Sequence, residues 1–413
     1  MNSYAALTIC SINYIGKALV LIDSYHEHHP DHSMYIVLVD RENSEIKIDR
    51  PGLTVIWAEH LLIPDFLQHA FSYDVIELNT NVKPTALKML LQTHEFAVYL
   101  DPDIKVYAPL EPVFDALQGG ASLVVTPHSN TPILDGSKPD DLELLKFGAF
   151  NLGFIGVSRC DEGMAFLDWW SERCLAHGFY EPQLGLGVDQ KWVGLAPCYF
   201  PHLKILHNVG LNVAFWNLHE RELGQHDGVW LVNEMTPLRF VHFSSFSERE
   251  PDVVAQKQTR FGVGSRPDFT LLAEAYAADL RAHASAKFSS YRYSFDYFED
   301  GSYITPALRR FYAALRLSTF HVEQNPFRSD GPVMQFGKAH RLVGARHVTF
   351  RRNIFRDIKS FGPQIKIINK ILRFTLFVLG PDRYFNLMRY LAHISSLRNQ
   401  GDIFENIKIK NRG

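Results

Sequence analysis

YLDPDIKVYAPL, residues 99–110, places two carboxylates directly behind an apolar run. Glu95–Leu100 (EFAVYL) reads as a buried β-strand, and Asp101-Pro102-Asp103 ends it. In open α/β sheets, ligands collect at the carboxyl ends of strands. Residues i and i+2 of an extended chain project from one side, about 6.5 Å apart. Asp101 and Asp103 can therefore grip one divalent cation, and oxygen donors suit Mg²⁺ or Mn²⁺ held against substrate phosphates. Such an ion stabilises the charge that grows on a departing diphosphate.

Around this motif, residues 1–250 alternate short apolar runs with helical patterns, the mark of βα units and a mostly parallel sheet. Tyr4–Ile12 predicts a first strand and Ile15–His26 its helix. Met34–Val39, Leu53–Trp57, Leu123–Thr126 and Gly153–Val157 predict further strands. Pro84 is placed to open a helix running to Gln92, since proline is tolerated in a first turn. Asp161 is the expected N-cap of a helix to Cys174, and Leu271–Ala284 predicts another. His26, His28, His29 and His32 fall on a helix end and turn, where a solvated surface is expected.

The chain has 413 residues and is 46% hydrophobic, ample for a core and for more than one domain. The divisions expected are a catalytic domain over 1–250, a helical and aromatic extension over 251–330, and a basic helical region over 331–413. Four cysteines without metal or disulfide spacing imply a reducing compartment. The N-terminus has no basic region leading into an apolar core, so no signal peptide is expected. No uncharged apolar run reaches the ~18 residues of a spanning helix. Residues 341–413 hold fifteen Lys and Arg against four Asp and Glu, a net of +11 that leaves −14 on 1–340 within the total of −3. The segment IKIINKILRFTLFVLG (365–380) sets Lys366, Lys370 and Arg373 among apolar residues. Two readings stay open for it: a helix packed on the acidic catalytic domain, burying Phe374 and Phe377, or a helix on an anionic membrane surface. A nucleic-acid partner is not expected.

YDVIELNTNVKPTALKMLL (73–91) with FAVYLDPDI (96–104) resembles bacterial cell-surface glycosyltransferases of the GT-A fold and, more loosely, glycosyltransferase family eight. The same order continues through FNLGFIGV (150–157), GVDQKW (187–192) and RFVHFSSF (239–246). The resemblance covers residues 4–250 and implies a Rossmann-like mixed sheet of the GT-A type. It also implies that Asp101, Asp103 and His242 bind the metal, with Lys83 beside the donor diphosphate or sugar. Asn151 and Gly153 would line the sugar pocket, Asp189 and Gln190 would contact the sugar near the anomeric carbon, and Thr8, Asn13 and Tyr14 would border the nucleoside. Lys191 stands where family eight often has a second aspartate, and Ser244-Ser245 where it has a glycine. Each assignment has a plainer rival: a core histidine for His242, a solvated lysine for Lys83, a helix N-cap for Asp189. Asn212, Trp216, Asn217 and His219 are candidates for the acceptor side, with core packing the better reading of Trp216.

The activity so implied is hexosyl transfer from a nucleotide diphosphate sugar to a hydroxyl, with retention of configuration. A surface glycan or a polyprenyl-linked acceptor at the inner leaflet is expected, and a cytoplasmic protein, peripheral on that membrane. The competing readings are a phosphatase of the haloacid dehalogenase type, which normally carries its Asp-x-Asp near the N-terminus, and an inactive sugar-nucleotide or glycan-binding module.

Overall fold

The computed structural model describes residues 3–344, apart from 284 and 322, and residues 362–403. The chain begins with β1 (Tyr4–Cys10), α1 (Ile15–His28), β2 (Ser33–Leu38) and β3 (Leu53–Trp57). Three short helices follow, α2 (Phe66–Ser72), α3 (Val75–Asn81) and α4 (Lys83–Leu90), and lead into β4 (Phe96–Leu100). Then come β5 (Ile104–Val106), α5 (Glu111–Gln118), β6 (Leu123–Val125), α6 (Asp141–Phe147), β7 (Phe154–Ser158) and α7 (Asp161–His177). The strands anticipated from apolar runs are present within one or two residues. The helix expected from Leu271 starts earlier, at Pro267, and runs to Ala282; its expected end at Ala284 lies outside the described residues.

The main sheet has seven strands in the order Leu203–Ile205, β6, β7, β4, β1, β2, β3. All neighbours are parallel except β7, which runs antiparallel to both β4 and β6. This is a mixed α/β sheet. The central strands are buried along nearly their whole length, as their continuous apolar runs require.

Two local expectations are corrected. α7 is capped by Cys160, whose Sγ accepts from the Gly163 amide at 3.4 Å, and Asp161 is the first helical residue. There its carboxylate lies at the positive end of the helix dipole, so an acidic residue is favoured without capping. The early histidines are not a solvated cluster. His29 is buried, stacks on His32 at 4.6 Å and packs on Tyr25 and Phe114, while its Nε2 accepts the Leu110 amide at 2.9 Å.

The chain forms two compact units, one of Met1–His69 and Val75–Phe295, the other of Ala70–Asp74 and Asp296–Gly413. Helix Pro267–Ala282, which the sequence division assigns to the extension, belongs to the first unit. Its Tyr276 stacks on Phe243 at 4.0 Å. In the second unit, Phe71 packs against Phe298, Tyr312 and Phe327. There the buried Arg309 donates to the carbonyls of Ala70, Phe71 and Tyr73 and pairs with Asp296 at 2.8 Å. Further on lies a helical run, Gly362–Ile394, broken at Gly380 (φ 73°) and Pro381.

Burial, with the neighbouring His32 and His28 adding to it, pushes His29 down to about 3 from 6.5. A base whose folded pKa is depressed contributes its full stability above about pH 6.5 and loses it as pH falls toward 3. His29→Gln, which cannot protonate there, is expected to flatten the acid limb of stability by up to about 1.4 kcal/mol per pH unit. Urea midpoints at pH 7 and pH 4.5 check this; equal slopes in the two proteins exclude it.

Candidate metal and sugar-nucleotide site

Leu100 closes β4, and the chain turns through Asp101-Pro102-Asp103 straight into β5. β5 pairs antiparallel with Phe240–His242, in the register Ile104 to His242 and Val106 to Phe240. The Phe243 amide donates to the Asp103 carbonyl at 2.9 Å. The strand that leaves the aspartates is thus the strand that holds the histidine. His242 Nε2 lies 3.1 Å from Asp103 Oδ1 and 3.6 Å from Asp101 Oδ2. One ligand atom from each of the three residues lies within 4.8 Å of the others. Two carboxylate oxygens and one imidazole nitrogen are a donor set that fits a divalent cation.

Burial disfavours a charge on Asp103, yet His242 outweighs it and holds the carboxyl well below its usual range, with Lys17 adding to the effect. Burial likewise disfavours a charge on His242, and here the two aspartates prevail and raise its pKa. Asp101 accepts the Tyr99 hydroxyl at 2.5 Å. Trp216 presents its ring edge-on to His242, with 5.2 Å between centroids. It is buried, as its core reading had it, and it packs against His242.

Because β7 is reversed, its amino end meets the carboxyl end of β4. Leu100 pairs with Phe154, and the Asp101 amide donates to Gly153 O at 2.8 Å. Gly153 stands against the histidine so closely that a Cβ there would meet His242 Cε1 at 2.3 Å. Asn151 Oδ1 accepts from the Gly153 amide and from Asn212 Nδ2, each at 3.1 Å, and Asn151 Nδ2 faces His128 Nε2 at 3.3 Å. Asn212 also donates to Thr126, and Asn217 donates to the carbonyls of His128 and Asn212. The two asparagines, candidates for the acceptor side, are fully buried and brace the Asn151–Gly153 turn. His219 instead faces Ser129 at 3.3 Å.

Lys83 and Gln190 meet on the peptide groups of Leu152, and Asp189 pairs with Lys83. Lys83 is buried, with Nζ 2.8 Å from Leu152 O and 2.6 Å from Asp189 Oδ2, over the Tyr99 ring at 4.1 Å. Gln190 Oε1 accepts the Leu152 amide at 3.0 Å, and its Nε2 donates to Phe147 O. Lys83 is therefore no solvated lysine. Asp189 occupies an N-cap position but caps nothing with its side chain. Burial pushes the Asp189 carboxyl up against the opposing pull of Lys83. In this arrangement Lys83, Asp189 and Gln190 hold the turn that carries Asn151 and Gly153.

Thr8 lies buried in β1, and its hydroxyl has no hydrogen-bond partner. Asp40 accepts the Ile12 amide at 2.8 Å and fixes the turn after β1. Asn13 accepts the Ser11 hydroxyl, and Tyr14 is exposed with Lys17 Nζ 4.6 Å from its ring centre. Sequence reasoning missed Tyr99, Thr126, His128 and Lys17. Tyr99 alone was signalled, by its place two residues before Asp101 on the same strand face.

No family model matches this chain. The uncharacterized proteins YfnD and YfnF of Bacillus subtilis (strain 168) are 28% and 26% identical to it over 254 and 247 residues. Those spans are 60% and 59% of this chain and 79% and 81% of the two relatives. Among solved structures, the galactosyltransferase LgtC in complex with donor and acceptor sugar analogues is similar at a TM-score of 0.42 and 14% identity, over 67% of this chain and 95% of LgtC. The glycosyltransferase GlyE of Streptococcus pneumoniae TIGR4 reaches 0.39 and 14% over 72% and 67%, and the bifunctional WbbM 0.40 and 12% over 68% and 52%. At these scores the likeness is loose and carries no weight for function.

Tyr99→Phe removes the hydroxyl that orients Asp101, and Gly153→Ala drives a methyl into His242. Each is expected to weaken Mn²⁺ affinity by about 10–100-fold, the usual effect of losing a residue that orients a ligand. Calorimetric titration of the purified protein measures it. Unchanged affinity in both variants would remove the three-residue cluster from consideration as a metal site.

Proposed function

We propose that this chain is a metal-dependent glycosyltransferase that moves a hexose from a nucleotide diphosphate sugar to a hydroxyl. The observation that carries the reading is the meeting of Asp101, Asp103 and His242 beside the Asn151–Gly153 turn, at the carboxyl end of β4. Asp101, Asp103 and His242 would hold Mn²⁺ or Mg²⁺, which when bound neutralises charge on the leaving diphosphate. Gly153 leaves room for close approach, and Asn151 fixes the turn on the sugar side. Lys83, Asp189 and Gln190 set the position of that turn. Direct contact of Asp189 with a sugar would require it to leave Lys83. Thr8, Asn13 and Tyr14, at the end of β1, are assigned to the nucleoside, with the exposed Tyr14 ring offering a face for a base.

An inverting transfer needs a general base poised on the acceptor hydroxyl, and a carboxylate is the usual candidate. Asp189 is committed to Lys83, Asp101 to Tyr99 and Asp103 to His242. This favours retention, with the leaving phosphate as the proton's destination. The same engagement disfavours a phosphatase, whose attacking aspartate must be free. The acceptor is assigned to a surface glycan or a polyprenyl-linked sugar handled on the cytoplasmic side of a membrane.

The test is a panel of nucleotide diphosphate sugars with Mn²⁺ or Mg²⁺, read as release of nucleoside diphosphate. Metal-dependent release is expected, and Asp103→Asn should lower it more than about a hundredfold while the melting temperature holds. Full turnover in excess chelator, or cleavage of simple phosphomonoesters instead, overturns the assignment. Calorimetric binding of a sugar nucleotide without any turnover would favour the inactive module.

A further inference from the structure

We propose that the broken helix Gly362–Ile394 is an in-plane anchor for an anionic phospholipid bilayer. The inference is independent of the catalytic reading, since it rests on a different part of the chain. At about 100° per residue, Lys366, Lys370 and Arg373 fall within an arc of about 60° on the first half of this helix. Ile365, Ile368, Ile371, Phe374 and Val378 lie on an apolar arc of about 200° that only Thr375 interrupts. Phe377 is the one large apolar residue on the cationic side. In the second half Leu387, Met388 and Leu391 lie opposite Arg389 and His393, while Arg383 falls beside Leu387 and Phe385 beside Arg389.

In a water-soluble protein such a face is ordinarily buried against a core. Here Ile371 is 58% exposed, Phe374 68% and Val378 60%, and Phe377 on the cationic side 85%. Phe374 and Phe377 are therefore not buried, as the packed-helix reading required. So much large apolar surface on one helix marks an interaction site. Charge identifies the occupant. The helical run carries five Lys and Arg against one Asp, within the region of net +11. A wide apolar face edged by cations is the pattern of a helix lying at the headgroup boundary, where lysine and arginine stems reach up toward lipid phosphates.

A second copy of the chain fits less well. Paired helices bury a narrow seam rather than some 200° of surface, and pairing would bring like charges together. Crossing the bilayer is excluded for this segment, because among the described residues no helix is long and apolar enough. The break at Gly380-Pro381 lets the two halves follow a surface.

The experiment is flotation of the full chain with vesicles of phosphatidylcholine alone or mixed with phosphatidylglycerol, at low and high salt. Binding is expected on the mixed vesicles only, and salt should weaken it. Each lost positive charge should reduce partition about fivefold, so Lys366→Gln with Lys370→Gln and Arg373→Gln should reduce it about a hundredfold. Ile371→Ser with Phe374→Ser should abolish flotation. All five residues are exposed, so the melting temperature should not move in either variant, and it serves as the control for folding. Full-length protein that stays in solution with anionic vesicles at low salt overturns the proposal. So does equal binding to neutral vesicles. A dimer in light scattering that the serine variant dissociates, with no flotation, gives this face to a second copy and also overturns it.

Discussion

A three-residue antiparallel ladder brings Asp101, Asp103 and His242 together. Ile104–Val106 continues directly from the two aspartates, and Phe240–His242 arrives from far along the chain to pair with it. Every backbone bond in that ladder fixes the distance between His242 and the carboxylates. Shifting the register by one residue would turn His242 to the opposite face of the ribbon and leave the aspartates without a nitrogen partner. The Phe243 amide bonded to the Asp103 carbonyl extends the same constraint one residue beyond the ladder. Stacking of Phe243 on Tyr276 anchors the histidine strand from its other side.

The reversed strand β7 is the second constraint, and it works through its start rather than its end. In a fully parallel sheet, the residues before β7 would lie at the far edge, remote from Asp101. Antiparallel pairing brings Asn151–Gly153 to the Asp101, Asp103 and His242 cluster and lets Gly153 stand where no side chain would fit. The turn is then gripped from below. Leu152 gives its carbonyl to Lys83 and its amide to Gln190, and Lys83 is in turn neutralised by Asp189. A buried pair of this kind is a weak source of stability, because desolvation offsets most of the attraction, but losing one partner strands a charge. Its consequence here is geometric, since it sets the turn height beside the cluster.

The two units divide the physical problem. The first holds the sheet and the cluster. The second has its own aromatic core around Phe71 and Tyr312, tied by an arginine that satisfies three backbone carbonyls at once. A guanidinium suits that task because its donors diverge in a plane, whereas an ammonium could not reach all three carbonyls and a carboxylate together. The same unit carries the basic helix Gly362–Ile394 with its exposed apolar residues.

The sequence by itself determined the strands β1 to β4, the start of α4 within one residue of Pro84, and the carboxylate pair behind β4. These follow from local signals: continuous apolar runs for buried strands, proline in a first turn, polar residues where a strand ends. The resemblance of its ordered motifs assigned His242, Asn151, Gly153, Lys83, Asp189 and Gln190 to one site; in the structure His242 stands against Gly153, and Lys83 and Gln190 bond to Leu152 beside it. The tertiary structure alone decided what each of them touches. The direction of β7 depends on its long-range partners, and nothing in FIGVS encodes it. Cys160 took the cap from Asp161 because the helix begins at Asp161, one residue earlier than a cap there allows, which sets the cysteine sulfur 3.4 Å from the Gly163 amide. His29 became a buried neutral acceptor because Leu110, far along the chain, presents an amide that needs one. Hydrogen bonds and ion pairs between distant residues leave no periodic trace in a sequence, whereas burial along a strand does.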